Sequence, residues 1–584
     1  MNKAGKKNDD AVSSDDLSRQ FLASLAKLTG GLSPHAFGGA WLNVLSNLAV
    51  SPGRQVRLAR SAMEKSMALA QFAGEALTGD GVAPKVDNPA YSRRFSDPAW
   101  SRFPFNVIAQ TFVTASEWAS ESVKGVPGAA TAAENVVSFT VREGLELIAP
   151  DNYLLTNPEL IDLTRREYGR NLLRGAKHFA EDVQRTLGGY APHGTEDFEV
   201  GVDIGASPGQ VILRNRLMEL IQYTPQTKKV FAEPILICPA WIMKYYILDL
   251  SARNSLVKYL TDLGFTVFMI SWKNPTAEDR DLTMDDYLTL GVKAALDAVE
   301  AVAPRRKIHA VGYCIGGTLL SIAAAELAAQ DDKRLASMTS FAAQVDFSEP
   351  GELSVFISPA QLAMLEAMMW KEGVLESSQM GGAFVMLRTH DLLWGPNIGA
   401  YVKGERSGLN DLMAWNADGT RMAYRMHTDY LHQLYLNNDL AEDRYIANGT
   451  QISLSDITLP MFVVGTETDH VAPWHSVYKI GRLTRSGDYT FCLTSGGHNA
   501  GIISGPQHPR RRHRVHTTRS GERLLSPAKY LQTVDPSPGS WWPTWAEWLK
   551  SHSSKTLVNK RKVGAPAKGY KPLGPAPGEY VLRK

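Results

Sequence analysis

Cysteine is scarce: Cys238, Cys314 and Cys492 are the only three in 584 residues. That is too few for a disulfide framework or a cysteine-rich zinc site. Charge of one sign is also missing. The net charge is +2 and the isoelectric point about 8.2, which gives no global footprint for nucleic acid. No run of about 18 uncharged apolar residues occurs, so no membrane-spanning helix is expected. The first seventeen residues mix both signs of charge, and no apolar stretch follows them. A secretory signal is therefore not expected, and residues 1–17 read as a frayed start on a cytoplasmic protein. No repeat of solenoid period, no phosphate-cradling glycine loop of the P-loop type and no cluster of metal ligands occurs. Those absences disfavour nucleotide hydrolysis and metal catalysis.

What is present is an ordinary globular balance of 44% apolar and 21% charged residues. The length is about twice that at which one core stops growing, so at least two folded regions are expected. Residues 18–200 have apolar side chains recurring at three and four, as in amphipathic helices. Breaks near Gly79–Asn88 and Val126–Gly128 divide them into several helices of an N-terminal domain. From about residue 201 short apolar runs take over, at Pro234–Cys238, Phe265–Ser271, Ile308–Gly312, Met461–Gly465 and Tyr489–Thr494. Helical patterns such as Met284–Val302 and Thr318–Ala329 alternate with them. Strand alternating with helix implies a mostly parallel sheet covered on both faces, an α/β fold occupying residues 201–584. Residues 350–455 interrupt that rhythm between two core strands and read as a cap over the strand ends.

Gly312-Tyr313-Cys314-Ile315-Gly316-Gly317 lies between a strand and a helix, the context of the nucleophile elbow in the α/β-hydrolase fold. Cysteine stands where that motif usually has serine, and a helix start behind the sulfur favours its thiolate. A thiolate needs a base, and the base an orienting carboxylate. In this fold they follow as acid and then histidine, on loops after later strands. Asp469 follows the Met461–Gly465 run, and His498 stands in the glycine-rich loop after Tyr489–Thr494. Glu467 and His470 are rivals for the two roles, and Asp469 and His498 are preferred. The oxyanion donors should be backbone N–H groups, one at Ile315 and the other near Ala240 or Trp241. Cys238 and Cys492 lie inside strands and read as packing residues.

These motifs, with several others, give the chain a resemblance to the poly(3-hydroxyalkanoate) synthases. The others are Tyr245–Leu250, Ser271–Pro275, Trp415–Asp418, Met426-His427, Asp469–Trp474, Gly497–Gly501, Gly539–Pro543 and Ala576–Val581. The resemblance implies polymerisation of (R)-3-hydroxyacyl-CoA into a storage polyester by a cytoplasmic enzyme at the granule surface. It implies Cys314 as nucleophile, Asp469 as triad acid and His498 as base, with no cofactor and no metal. His470 matches a second histidine of the same motif, and Arg388 and Trp415 are candidate substrate or supporting contacts. Arg388–Trp394 departs from the family pattern at Thr389 and His390, as do Met243 and Met284 elsewhere. A helical N-terminal region on a chain of this length resembles the synthases that work without a second subunit type, as a homodimer.

A cysteine suits that chemistry, because attack on a thioester exchanges one thioester for another, and the later ester-forming step is downhill. Water is the competing nucleophile, which gives a cap a purpose. Arg510–Arg514 could meet the phosphates of CoA or could be a solvated cluster. Trp541, Trp542, Trp545 and Trp548 read as core. A cysteine-dependent hydrolase, either a polyester depolymerase or a thioesterase, is the alternative enzyme. A granule-binding paralogue without activity is the non-enzymatic one, disfavoured by the intact triad residues.

Overall fold

The computed structural model describes residues 14–79, 81–406 and 408–584. They form two compact units, one of residues 14–31, 196–379 and 410–584, the other of residues 32–195 and 380–409. The chain thus passes between units at places the sequence does not mark. Most of the start expected to be frayed, residues 1–13, lies outside the described residues. Residues 14–17 open the helix Ser14–Leu28. This helix packs along the cap helix Pro359–Glu372, with Lys27 bonded to Glu372 at 3.0 Å and Arg19 over the Trp370 ring. Residues 380–409 join the helical unit through side-chain clamps. Asn171 donates to the Val402 carbonyl at 2.9 Å, and Arg406 pairs with Asp182 at 2.8 Å.

The helical unit is built from Pro34–Ala49, Pro52–Thr78, Phe105–Ser122, Thr131–Leu147, Pro158–Arg166 and Arg170–Leu187. Proline at the first turn of three of these starts them where no intrahelical N–H partner is lost. One core gathers Tyr91, Phe95, Trp100, Phe112 and Val113, another Val44, Val123, Val126 and Val137. Beside the first, Arg94 is buried between Glu146 and Asp151, each at 2.7 Å. Burial opposes the guanidinium charge, but the two carboxylates outweigh it and raise its pKa. Arg94→Met should cost this unit about 3–5 kcal/mol, because it strands two buried carboxylates. Urea unfolding followed by tryptophan fluorescence checks this, and a loss under about 1 kcal/mol contradicts it.

Among the described residues, the main sheet of the other unit has eleven strands. In chain order they are β1 (Gly209–Arg214), β2 (Met218–Tyr223), β3 (Ile235–Cys238), β4 (Val267–Trp272), β5 (Ile308–Tyr313) and β6 (Leu335–Phe341). Then come β7 (Met461–Thr466), β8 (Asp488–Thr494), β9 (Arg512–Arg519), β10 (Ser537–Pro538) and β11 (Gly574–Pro575). The spatial order is β10-β9-β8-β7-β6-β5-β3-β4-β2-β1-β11. The central run from β4 through β3, β5, β6 and β7 to β8 is parallel, and the flanking pairs are antiparallel. Those central strands are almost wholly buried, which explains their unbroken apolar runs. This is the α/β-hydrolase architecture expected from the sequence. Residues 350–379 and 410–455 rise from the β6–β7 crossover as the part of the cap that stays with this unit. Among the described residues, no helix is long and apolar enough to cross a membrane.

Candidate active site

The turn after β5 carries Cys314, whose backbone is held at φ 54° and ψ −130°. Such a conformation is strained for a residue with a Cβ, and it lifts the thiol off the strand into the open. The neighbouring glycines are there because the turn is too tight for side chains. A Cβ on Gly312 would lie 2.4 Å from the Gly317 Cα, and one on Gly316 equally close to the Cys238 and Pro239 carbonyl oxygens. The loop leaving β3 is therefore pressed against the start of the helix Ile315–Ala329. Gly316→Ala should cost about 1–3 kcal/mol and push that loop from the elbow. Thermal melting and thioester turnover measured together check it, and wild-type values of both contradict it.

His498 and Asp469 arrive on the loops after β8 and β7. His498 Nδ1 is 2.8 Å from Asp469 Oδ2, and the imidazole also feels the charge of Cys314. With Nδ1 taken by the carboxylate, Nε2 is the nitrogen left for the sulfur. Asp469 further accepts the Thr466 hydroxyl at 3.0 Å and the Val471 and Ala472 N–H groups at 2.9 and 2.8 Å. Burial opposes its charge, but His498 and these donors hold the carboxyl below its usual range. Burial likewise disfavours a charged imidazole, yet Asp469 and Cys314 outweigh it and hold His498 well above the ordinary histidine value.

The supports of the His498 loop explain several other motifs. Tyr313 donates its hydroxyl to Asn499, and its ring lies 5.7 Å from that of His498. Trp541 and Trp542 are buried and donate to the Gly501 and Ile502 carbonyls, both at 3.0 Å. These tryptophans pack in the core and, from there, brace the loop. Arg511 donates to the Ser495 and Ala500 carbonyls, so its guanidinium grips the same loop. Arg512 starts β9 and pairs with Glu467 at 2.9 Å. Arg511 and Arg512 of the run are thus engaged with the protein, and Glu467 pairs with Arg512.

Ile315 opens the helix behind the sulfur, and Ala240 lies two residues past β3. Trp272 Nε1 donates to the Pro239 carbonyl at 2.9 Å, which fixes the peptide carrying the Ala240 N–H. Cap residues hold the rest of this loop. Thr420 donates to the Trp241 carbonyl, Trp415 Nε1 to the Lys244 carbonyl at 2.7 Å, and Tyr246 to Asp418 at 2.9 Å. Trp415 is buried, so it acts on the loop from behind. Lys244 donates to the Arg583 carbonyl at 2.6 Å, and burial pushes its pKa down to about 8. His470 follows Asp469, and its carbonyl accepts the Glu352 N–H at 3.2 Å. Arg388 lies in the helical unit, just past the helix Ser377–Leu387. Cys238 and Cys492 are buried in their strands, and burial raises both thiol pKa values.

Cap residues that sequence reasoning did not single out also feel the charge of the sulfur. Tyr430 and Tyr435, on the helical stretch after Met422-Ala423, both interact electrostatically with Cys314. Their rings are 5.5 Å apart, and Phe347 packs on both. His427 is buried against Tyr430, and burial lowers its pKa to about 4, so it is neutral. The Met426-His427 motif was the available signal for this wall.

A thiol on a strained elbow, acting electrostatically on a histidine that a buried carboxylate holds, is equipped for acyl transfer through a covalent intermediate. Comparison with known proteins narrows that class. Residues 91–260 match the model described as Poly-beta-hydroxybutyrate polymerase (PhaC) N-terminus, and residues 13–54 that of Poly-beta-hydroxybutyrate polymerase N terminal. Residues 233–503 match the alpha/beta hydrolase fold. A poly(3-hydroxyalkanoate) polymerase of Methylorubrum extorquens is 37% identical, with 87% of this chain and 83% of that protein covered. The chain belongs to the poly(3-hydroxyalkanoate) polymerase family. Other members include the polymerase subunit of Rhizobium etli, 36% identical over 87% of this chain and 79% of its own. That of Cupriavidus necator is 30% identical over 94% and 92%. Cys314, Asp469 and His498 each fall inside the run from β3 to the His498 loop that carries the hydrolase match.

Proposed function

We propose that this polymerase joins (R)-3-hydroxyacyl units from CoA thioesters into poly(3-hydroxyalkanoate) and releases CoA. The observation that carries the reading is a cysteine on a strained elbow whose charge acts on a histidine that is itself held by Asp469 at 2.8 Å. His498 takes the Cys314 proton, and the sulfur attacks the thioester carbonyl carbon. The carbon–sulfur bond to CoA breaks, and CoA leaves with the proton from His498. The acyl group is now a thioester on Cys314. The 3-hydroxyl of a second acyl unit then gives its proton to His498 and attacks that thioester, forming an ester and freeing the sulfur. Asp469 stabilises the imidazolium at each step. The N–H groups of Ile315 and Ala240 would take the negative charge that develops on the carbonyl oxygen.

CoA thioester is the substrate in this scheme, and no further cofactor is needed. The same reading has the enzyme at the surface of a growing polyester granule in the cytoplasm, as a homodimer. His470 and Trp415 would shape the site from behind. The test is incubation of the purified chain with (R)-3-hydroxybutyryl-CoA. Insoluble polyester accumulating with free CoA is expected. Free 3-hydroxybutyrate in equal amount to CoA would overturn the reading in favour of a hydrolase.

A further inference from the structure

The loop after β6 passes directly beside the elbow. The Phe341 carbonyl accepts the Cys314 N–H at 2.9 Å, and the Thr318 hydroxyl donates to the Gln344 carbonyl at 2.8 Å. Gln344 is therefore fastened to the first turn of the helix that begins behind the nucleophile. Its side chain is buried to 5% exposure, and its amide oxygen has no hydrogen-bond partner. Phe347, three residues on, packs its ring 4.7 Å from that of Tyr435, which lies 5.5 Å from Tyr430, and both phenols feel the charge of Cys314. Tyr435 itself is half-buried.

A buried amide oxygen without a partner is costly, and one kept at an acyl-transfer site has a use when substrate fills that site. Acyl chains differ in what they offer it. A 3-hydroxyl is three bonds from the carbonyl carbon that joins the sulfur, so its partners have to come from side chains around Cys314. It brings one donor and two acceptor positions. The Gln344 oxygen matches the donor, and the phenol of Tyr435 can supply the complementary bond.

We propose that Gln344 and Tyr435 bind the 3-hydroxyl of the acyl group and so select hydroxyacyl over plain acyl thioesters. The inference rests on the polymerase reading above and adds to it the side chains that read the substrate class. A plain acyl chain leaves the Gln344 oxygen unpaired, which is the arrangement by which a polar site rejects an analogue lacking its hydroxyl.

The test compares acylation of the enzyme, in excess, by (R)-3-hydroxybutyryl-CoA and by butyryl-CoA, with CoA release followed by rapid quench and chromatography. The parent protein should acylate at least about ten-fold faster with the hydroxyacyl thioester, the ratio one lost neutral hydrogen bond gives. Gln344→Met and Tyr435→Phe should bring the two rates within about two-fold, chiefly by slowing the hydroxyacyl reaction. Rates in the variants that fall equally for both thioesters would show a packing role only and overturn the proposal. Equal rates in the parent would overturn it whatever the variants do, leaving the polymerase reading intact. No CoA release from either thioester by the parent would overturn both.

Discussion

Cys314→Ala is expected to lower CoA release from (R)-3-hydroxybutyryl-CoA by about 10⁴-fold or more, because the nucleophile, its base and the carboxylate act as one unit. The substitution removes only the sulfur. Alanine keeps the Cβ that the φ 54° turn already accommodates, so the elbow itself should hold. The helix Ile315–Ala329 and the loop after β3 also keep their contacts. Circular dichroism and thermal melting should therefore match the parent. Neither Cys238 nor Cys492 can substitute, since each is buried within its strand and its thiol is pushed up by burial. Residual turnover above about a hundredth of the parent rate would mean that acyl transfer does not pass through this sulfur.

Asp469→Asn is expected to cost about 10³–10⁴-fold in turnover, since a neutral amide can present its N–H₂ to His498 Nδ1 and select the wrong tautomer. It also has a consequence for stability. His498 is held above its ordinary value, so its contribution is fully present below about pH 6.5 and is lost as the pH rises through the folded-state value. The parent protein should lose part of its stability on the alkaline side. Asp469→Asn should lose less, because it removes a main cause of the upward shift. Urea midpoints taken across that range check the sign, and parallel pH curves for the two proteins contradict it.

Much of this site could be read from the chain because its chemistry is local. A strand, a glycine-framed cysteine and a helix occupy neighbouring positions, and steric necessity at Gly312 and Gly316 leaves a visible mark. Asp469 and His498 were legible from order alone, each just past an apolar run. The strands β3 to β5, β7 and β8 were legible because burial on both faces makes them continuous in apolar residues. β9 was not, because it lies near the sheet edge, is largely half-exposed, and begins inside the Arg510–Arg514 run, which offered a CoA contact or a solvated cluster and no apolar strand. Gln344, Tyr430 and Tyr435 were illegible for a different reason. Their proximity to Cys314 arises from a crossover and a cap brought back over the strand ends, and nothing in local spacing records such a return. The assignment of residues 380–409 to the helical unit has the same origin, in side-chain clamps between segments some 220 to 230 residues apart.

The supports of the site point to a division of labour within the sheet unit. The core braces the histidine loop through Trp541 and Trp542, while the cap holds the loop after β3 through Trp415, Asp418 and Thr420. One set secures the base, and the other the loop that carries Ala240.

The most direct measurement of the central claim is mass spectrometry of the enzyme quenched within the first turnover of (R)-3-hydroxybutyryl-CoA. A 3-hydroxybutyryl adduct on the peptide containing Cys314, appearing at the rate of CoA release, is the expected result. CoA released at full rate with Cys314 unmodified throughout would contradict the account.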